Sequence, residues 1–347
     1  MPGRLKKFDE FFQRKAAEGG NVVAMARMGS ALRERGELAE AETWFRKAAM
    51  GGDRVSMTSL AHLLAERGAQ EEAERWYHEA ALAGDPHGML NLARSYERAG
   101  KRAEAQHWYG EAARTGDLPS ITALGHLLRE QGRGEEAESW LRQAADAGAT
   151  SAMIDLGIVL RDRGQAAEAA RWWRSAVLAG DLAATCQLGR QAERLGRPGD
   201  AEAWYRQGAT GGNGEAIVRL GLLLHRRGDL EEAESWYLDA AERGDPAAMT
   251  NLGVLARNRG DEGEAAAWYR KAAEHGSVPA LTNLGHLAEH REDFADAEQW
   301  FRRAAQTGDV QGMLSLARML RSRGAANEAE QWLARAENVQ DDREHRV

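Results

Sequence analysis

GDPAAMTNLGVLARNRGDEGEAAAWYRKAAEHG, running from Gly244 to Gly276, decides the fold. Asp245 is a residue type that caps helix N-termini, and Pro246 suits the first helical position. Ala248, Met249, Leu252, Gly253 and Ala256 then fall at i, i+1, i+4, i+5 and i+8, one stripe of an α-helix. Gly260 stops it, because glycine enters the left-handed region without strain. A second stripe of Ala265, Trp268, Tyr269, Ala272 and Ala273 follows within a few residues and stops at Gly276. The stretch predicts two helices and a short turn.

The same pattern fills the chain. Tryptophan recurs at a constant interval of thirty-two positions, at Trp44, Trp76, Trp108, Trp140, Trp172, Trp204, Trp236, Trp268, Trp300 and Trp332. Phe12 stands one interval before Trp44 and holds the same place. Eight residues after each of the first nine tryptophans stands a glycine, sixteen after stands a leucine, and seventeen after stands Gly or Ala. A small residue there lets paired helices approach closely. A fixed period of this length marks a repeat array in which each unit buries its apolar face on the next. The 347 residues, long enough for two or three ordinary domains, are therefore expected to form one all-α solenoid. Residues 1–19, with Phe8, Phe11 and Phe12, are expected as an N-terminal capping helix. Ten helix pairs are expected over 20–339, and a polar, unordered tail over 340–347. The Trp and Tyr ladder is expected to be core and not an aromatic cofactor box. No cofactor is expected.

Composition narrows the function. Lys+Arg is 46 and Asp+Glu is 54, a net charge of −8, which argues against general nucleic-acid binding. No apolar run reaches the roughly 18 residues of a membrane span. The opening MPGRLKKFDEFFQRKAAEGG lacks the apolar core of a signal peptide, so a cytoplasmic location is expected. Cys186 is the single cysteine, which rules out an intrachain disulfide framework.

The second-helix blocks AEAWYRQGATGGN and AERWYHEAALAGD, with the A-x-x-x-L-G of the first helix, resemble the Sel-one-like and tetratricopeptide repeat families. The short joints RGDLEEAE and RGELAEAE are similar to the tetratricopeptide loop. The longer Sel-one-like insert and the usual tetratricopeptide proline are absent, and the unit is two positions shorter than the standard tetratricopeptide unit. The resemblance implies a right-handed superhelix whose first helices line the concave face and bind a peptide or partner helix. The implied role is a non-enzymatic interaction scaffold.

The facing residues implied are those 14, 15, 18, 21 and 22 after each grid residue, all of which vary between copies. They supply the candidate binding set of His62, Asn91, Arg94, His126, Arg190, Arg194, Asn251, Asn283, His286 and Arg318. Asn91, Asn251 and Asn283 match the position at which peptide-binding relatives hold a backbone. The Lys/Asn pair of a full carboxylate clamp is not found. Over the five positions thirteen residues are basic and eight acidic, on a chain that is acidic overall. An acidic protein segment is the partner this balance favours, since opposite potential speeds encounter. Helix dipoles also account for Arg near a helix C-terminus.

Two other readings compete. The arginines could serve single-stranded RNA, but exposed aromatics for base stacking are scarce. His286, Glu289 and His290 fit H-x-x-E-H, a zinc-peptidase pattern, yet they occupy ordinary facing positions. Cys186, with no base fixed beside it, is expected to be inert. Three irregularities stand out. Ala149 replaces an N-cap Asp, with Thr150 or Ser151 available to substitute. Glu292 replaces a C-cap glycine. The unit 180–212 departs most, with Cys186, Gln187, Gln191, Leu195, Pro198-Gly199 and Gly208; drift in a tolerant array accounts for it, and a bend in the array or a specific pocket is the competing reading.

Overall fold

The computed structural model describes residues 14–344. Phe8, Phe11 and Phe12 of the expected capping helix lie outside them; residues 14–18 are helical. Beyond these, the described chain forms helix pairs without strands. The first helices are α1 (Val22–Glu34), α3 (Arg54–Glu66), α5 (Pro86–Arg98), α7 (Leu118–Glu130), α9 (Thr150–Asp162), α11 (Ala183–Arg194), α13 (Gly214–Arg227), α15 (Pro246–Asn258), α17 (Val278–His290) and α19 (Val310–Ser322). The second helices are α2 (Leu38–Met50), α4 (Gln70–Leu82), α6 (Arg102–Arg114), α8 (Gly134–Asp146), α10 (Ala166–Leu178), α12 (Pro198–Thr210), α14 (Leu230–Glu242), α16 (Glu262–Glu274), α18 (Phe294–Gln306) and α20 (Ala326–Glu344). The last helix runs on to Glu344, past Val339, into the stretch expected to be an unordered tail.

The stack divides into two compact units between Asp181 and Leu182, each with five pairs. Within a unit every second helix packs on its own first helix and on the next one. Successive first helices also touch, as α3 touches α5, α7 touches α9 and α11 touches α13; no comparable contact joins successive second helices. The first helices therefore lie on the inner side of each unit's curve.

The turns share one device. From Gly20 to Gly324 a residue of positive φ recurs at half the tryptophan interval, and at all but one of these positions it is glycine. The exception is Glu292, at φ 61°. Its backbone still closes the helix as glycine does: Glu292 N–H bonds Glu289 O at 3.0 Å and Asp293 N–H bonds Ala288 O at 2.9 Å.

The core corrects one expectation. The fully buried aromatic is the residue after the grid tryptophan: Tyr109, Trp173, Tyr205, Tyr237, Tyr269 and Phe301 are each 0–1% exposed. The grid tryptophans other than Trp44 are only half-buried. One residue along a helix turns the side chain by about 100°, so two adjacent aromatics face different ways, and of the described pairs Trp44 and Phe45 alone are both buried. Trp236, Trp268 and Trp300 pack partly buried against the core. Trp173, off the grid in sequence, takes the inward place and donates from Nε1 to Ile154 O at 3.1 Å. The small residue seventeen after each tryptophan does allow close approach. A Cβ on Gly253 would lie 2.5 Å from the Tyr269 ring, and one on Gly157 2.2 Å from Trp173.

Long side chains bridge the second helices. Arg206 on α12 bonds Glu202 at 2.8 Å and Glu232 of α14 at 2.6 Å. Arg46, Arg142 and Arg302 repeat this with Glu42/Glu72, Glu138/Glu168 and Glu298/Glu328.

Candidate partner-binding face

The first-helix face is built on capped helix starts. Asp85 Oδ2 accepts from Gly88 N–H at 2.8 Å, and Asp53, Asp117, Asn213, Asp245, Ser277 and Asp309 cap their helices alike. Position fourteen, assigned to the binding face from sequence, belongs in part to this framework. Thr58 Oγ1 donates to the same Asp85 carboxylate at 2.6 Å, and Thr282 reaches Asp309 at 3.2 Å. Thr250 and Ser277 share a hydrogen bond of 2.8 Å, and Cys186 Sγ reaches Asn213 Oδ1 at 3.5 Å. Each link runs from one first helix to the cap of the next. Thr58, Leu90, Cys186 and Thr250 are consequently buried. Burial pushes the Cys186 thiol up to about 12, which makes it unreactive as expected.

Ala149 shows the framework by breaking it. Neither Thr150 nor Ser151 substitutes as a cap. Thr150 donates instead to Asp181 at 2.9 Å, and Thr122, without a cap to reach, falls back on Leu118 O at 3.0 Å.

The candidate residues take different environments. In the first unit His62 is half-buried with its ring edge-on to Tyr77, centroids 5.4 Å apart, and burial pulls its pKa down. Asn91, on the next first helix, hydrogen-bonds it and also donates to His87 O at 2.7 Å. Arg94 is exposed. His126 Nδ1 lies 2.9 Å from Asp155 and Nε2 3.2 Å from Glu130, and the Asp155 hydrogen bond raises its pKa. In the second unit Arg190 stands 3.9 Å from Glu215, and Arg194 is exposed. Asn251, Asn283 and His286 are half-buried on the same face. Arg318 is committed to Glu289 at 2.8 Å, so it is less available than its sequence position implied.

The histidine motif does not converge. His286 Nδ1 is 3.4 Å from Glu289, but His290 pairs with Glu262 at 2.8 Å. Among the described residues no three His, Cys, Asp or Glu side chains are gathered to hold a metal.

Two further groups escaped the sequence reading. Ile154 and Ile158 in the first unit, and Val218, Leu222 and Val254 in the second, put apolar surface on the same face. The buried tyrosines also reach it: Tyr109 Oη donates to Glu97 and Tyr205 Oη to Glu193, both at 2.7 Å. A glutamate twelve residues before a buried tyrosine is the signal that marks these pairs. The unit 180–212 does border a cleft of about 430 Å³, lined by Glu193, Pro198, Gly199, Glu202, Leu223 and Arg226. Arg226 pairs there with Glu193, and Arg227 with Glu202 at 2.5 Å. Gly208 has a packing reason as well, since a Cβ would meet Thr185 Oγ1 at 2.3 Å.

Tetratricopeptide-repeat family models match residues 22–49, 55–82, 120–147, 150–175, 186–248 and 220–279, together more than half of the chain. No curated protein sequence matches it. Among solved structures it is similar to c5321, a protective antigen of uropathogenic Escherichia coli with an SLR fold. That likeness has 26% identity over 94% of this chain and 79% of the other, with a TM-score of 0.57. A Sel1 repeat protein from Oxalobacter formigenes aligns at 21% identity over 91% of this chain and 90% of that one, TM-score 0.48. Yeast Tom70 aligns at 13% identity over 93% and 96%, TM-score 0.48. With its evenly spaced helix pairs, its αL turns and its small-residue seams, the chain belongs to the tetratricopeptide-repeat proteins.

Proposed function

We propose that this protein is a non-enzymatic adaptor that holds an acidic, extended or helical segment of a partner protein on its first-helix face. One observation carries the reading. Arg46, Arg142, Arg206 and Arg302 on the second helices are each neutralised by two glutamates, whereas Arg94, Arg98, Arg194, Arg257 and Arg321 on the first-helix face make no ion pair among the described residues. Cations left without a counter-charge, on a face that also carries Ile154 and Ile158 in the first unit and Val218, Leu222 and Val254 in the second, suit a segment that carries both carboxylates and apolar side chains. Asn91, Asn251 and Asn283 supply amide groups for its backbone, and His62, His126, Arg190, His286 and Arg318 complete the face.

The test is a quantitative pull-down with the full chain and with Arg94→Glu/Arg98→Glu/Arg194→Glu. Exposed substitutions of this kind each change stability by about 0.5 kcal/mol or less, so an unchanged melting temperature verifies the fold. Partners retained by the wild type and released by the folded variant support the reading. Partners retained equally by both overturn it, and enrichment of RNA alone in the wild-type eluate replaces it with nucleic-acid binding.

A further inference from the structure

Four second-helix tyrosines in the grid-plus-one position contrast in one respect. Tyr109 and Tyr205 are buried, and each hydroxyl donates to a glutamate twelve residues earlier, Glu97 or Glu193. That glutamate sits at the end of the first helix, on the inner face. Around Glu193 the recognition is two-sided, because Arg226 of the next first helix pairs with it while Tyr205 hydrogen-bonds it. Tyr237 and Tyr269 are equally buried, at 0% exposure. Twelve residues before them stand His225 and Arg257, neither of which offers a carboxylate. No protein acceptor reaches Tyr237 Oη or Tyr269 Oη. Arg226 is the charge acting on Tyr237 and Arg257 the charge acting on Tyr269.

A buried hydroxyl without an acceptor is costly and uncommon in a folded protein. Here the deficit occurs in two adjacent pairs, and in each an arginine, Arg226 or Arg257, stands eleven or twelve residues before the tyrosine, at the end of the first helix. The repeat itself shows which group completes the arrangement, since Glu193 fills the equivalent place one pair earlier. We infer that Tyr237 with Arg226, and Tyr269 with Arg257, form two carboxylate sockets one repeat apart that receive Asp or Glu side chains of the bound partner. The inference rests on the acidic-segment reading above and specifies where two of its carboxylates go. A ligand carboxylate takes a charge-assisted hydrogen bond from Oη, as Glu193 does from Tyr205, with the arginine supplying the counter-charge. Because the two sockets lie on successive first helices, they also fix the register of the segment within the second unit.

The experiment uses the full chain and a fluorescent twenty-residue poly-glutamate peptide, with poly-glutamine and oligouridine as controls. Removing both hydroxyls in Tyr237→Phe/Tyr269→Phe is expected to weaken poly-glutamate binding at least tenfold while leaving the melting temperature unchanged or higher, because no protein hydrogen bond is lost. Tyr205→Phe is expected to leave peptide affinity unchanged and to lower the melting temperature, because Glu193 loses one of its two partners. His225→Glu fills the first socket from within and is expected to raise the melting temperature and weaken the peptide severalfold. If Tyr237→Phe/Tyr269→Phe binds poly-glutamate as the wild type does, while Arg94→Glu/Arg98→Glu/Arg194→Glu does not, the sockets are wrong and the acidic-segment reading stands. If neither variant differs from the wild type, or if the wild type does not bind poly-glutamate, both fall. Oligouridine binding that depends on the two hydroxyls overturns the carboxylate assignment in favour of phosphate.

Discussion

The two faces of each unit are built from the same tryptophan grid, yet they differ in how regularly they place charge. On the second helices the arginine two residues after the grid tryptophan recurs as Arg46, Arg142, Arg174, Arg206, Arg270 and Arg302, and four of these, Arg46, Arg142, Arg206 and Arg302, each bridge two glutamates. On the first helices the residue eighteen after the tryptophan changes from His62 to Arg94, His126, Ile158, Arg190, Leu222, Val254, His286 and Arg318. First helices touch directly, and only some of these side chains add an ion pair between them, as His126 does with Asp155, Arg190 with Glu215 and Arg318 with Glu289. Second helices lack that direct contact and are joined by long ion-paired side chains. The second-helix face therefore keeps its charged position more constant than the first-helix face does.

The comparison breaks most severely where adjacent residues on one second helix face different ways. Tyr269→Ala empties a fully buried site and is expected to cost about 3–5 kcal/mol, as large-to-small aromatic changes do. Trp268→Ala next to it, only half-buried, is expected to cost about half as much. Urea unfolding of the two variants measures the difference, and equal losses contradict the assignment of the inward position. A smaller effect sharpens the turn device: Glu292→Gly relieves a left-handed non-glycine residue and is expected to raise stability by about 1 kcal/mol. Ala149→Asp, which supplies a cap and an acceptor for Thr122, is expected to raise it by about as much.

The charge contrast itself gives the next step down. Arg206→Ala removes a two-glutamate bridge and is expected to lower stability by about 0.5–1 kcal/mol, a loss that shrinks in high salt. Arg194→Ala on the inner face is expected to leave the melting curve in place. The smallest effect concerns pH. Asp155 holds the His126 pKa above its ordinary value near 6.5. A raised folded value gives stability that is full below about pH 6.5 and is lost as pH rises through the folded pKa. His126→Gln should therefore flatten the stability profile between pH 6 and 8, by less than about 1 kcal/mol. His62, whose pKa burial lowers, has the opposite sign: its contribution is present above about pH 6.5 and is lost as pH falls.

Much of this was legible in the sequence. The tryptophan interval, the glycine stops and the Gly/Ala seam specify the helix pairs because each expresses a backbone or packing requirement that repeats. Glu292 was recognisable as a substituted glycine position for the same reason, and its positive φ agrees. The Trp and Tyr ladder read as core as a whole because the two residues are adjacent and both apolar, and only packing decides that the tyrosine turns in and the tryptophan stays half-buried. Position fourteen read as surface because its residues vary. Thr58, Thr250, Thr282 and Cys186 vary, however, within one task, hydrogen-bonding the next cap. The binding face was legible as a set of positions but not as a set of available groups. Whether Arg318 is committed depends on Glu289, one repeat away and 29 residues earlier in sequence.

The evenly spaced αL turns have a consequence for how such a chain can change. Two consecutive turns return the backbone to an equivalent place, so losing or gaining one full tryptophan interval leaves every seam, cap link and ion bridge with its correct neighbour. Losing half an interval leaves the turns in phase but exchanges the roles of the two helices, putting core tyrosines where caps are required. The number of repeats is thus open to variation while their internal order is not. A new specificity can be written into one added unit without disturbing the others.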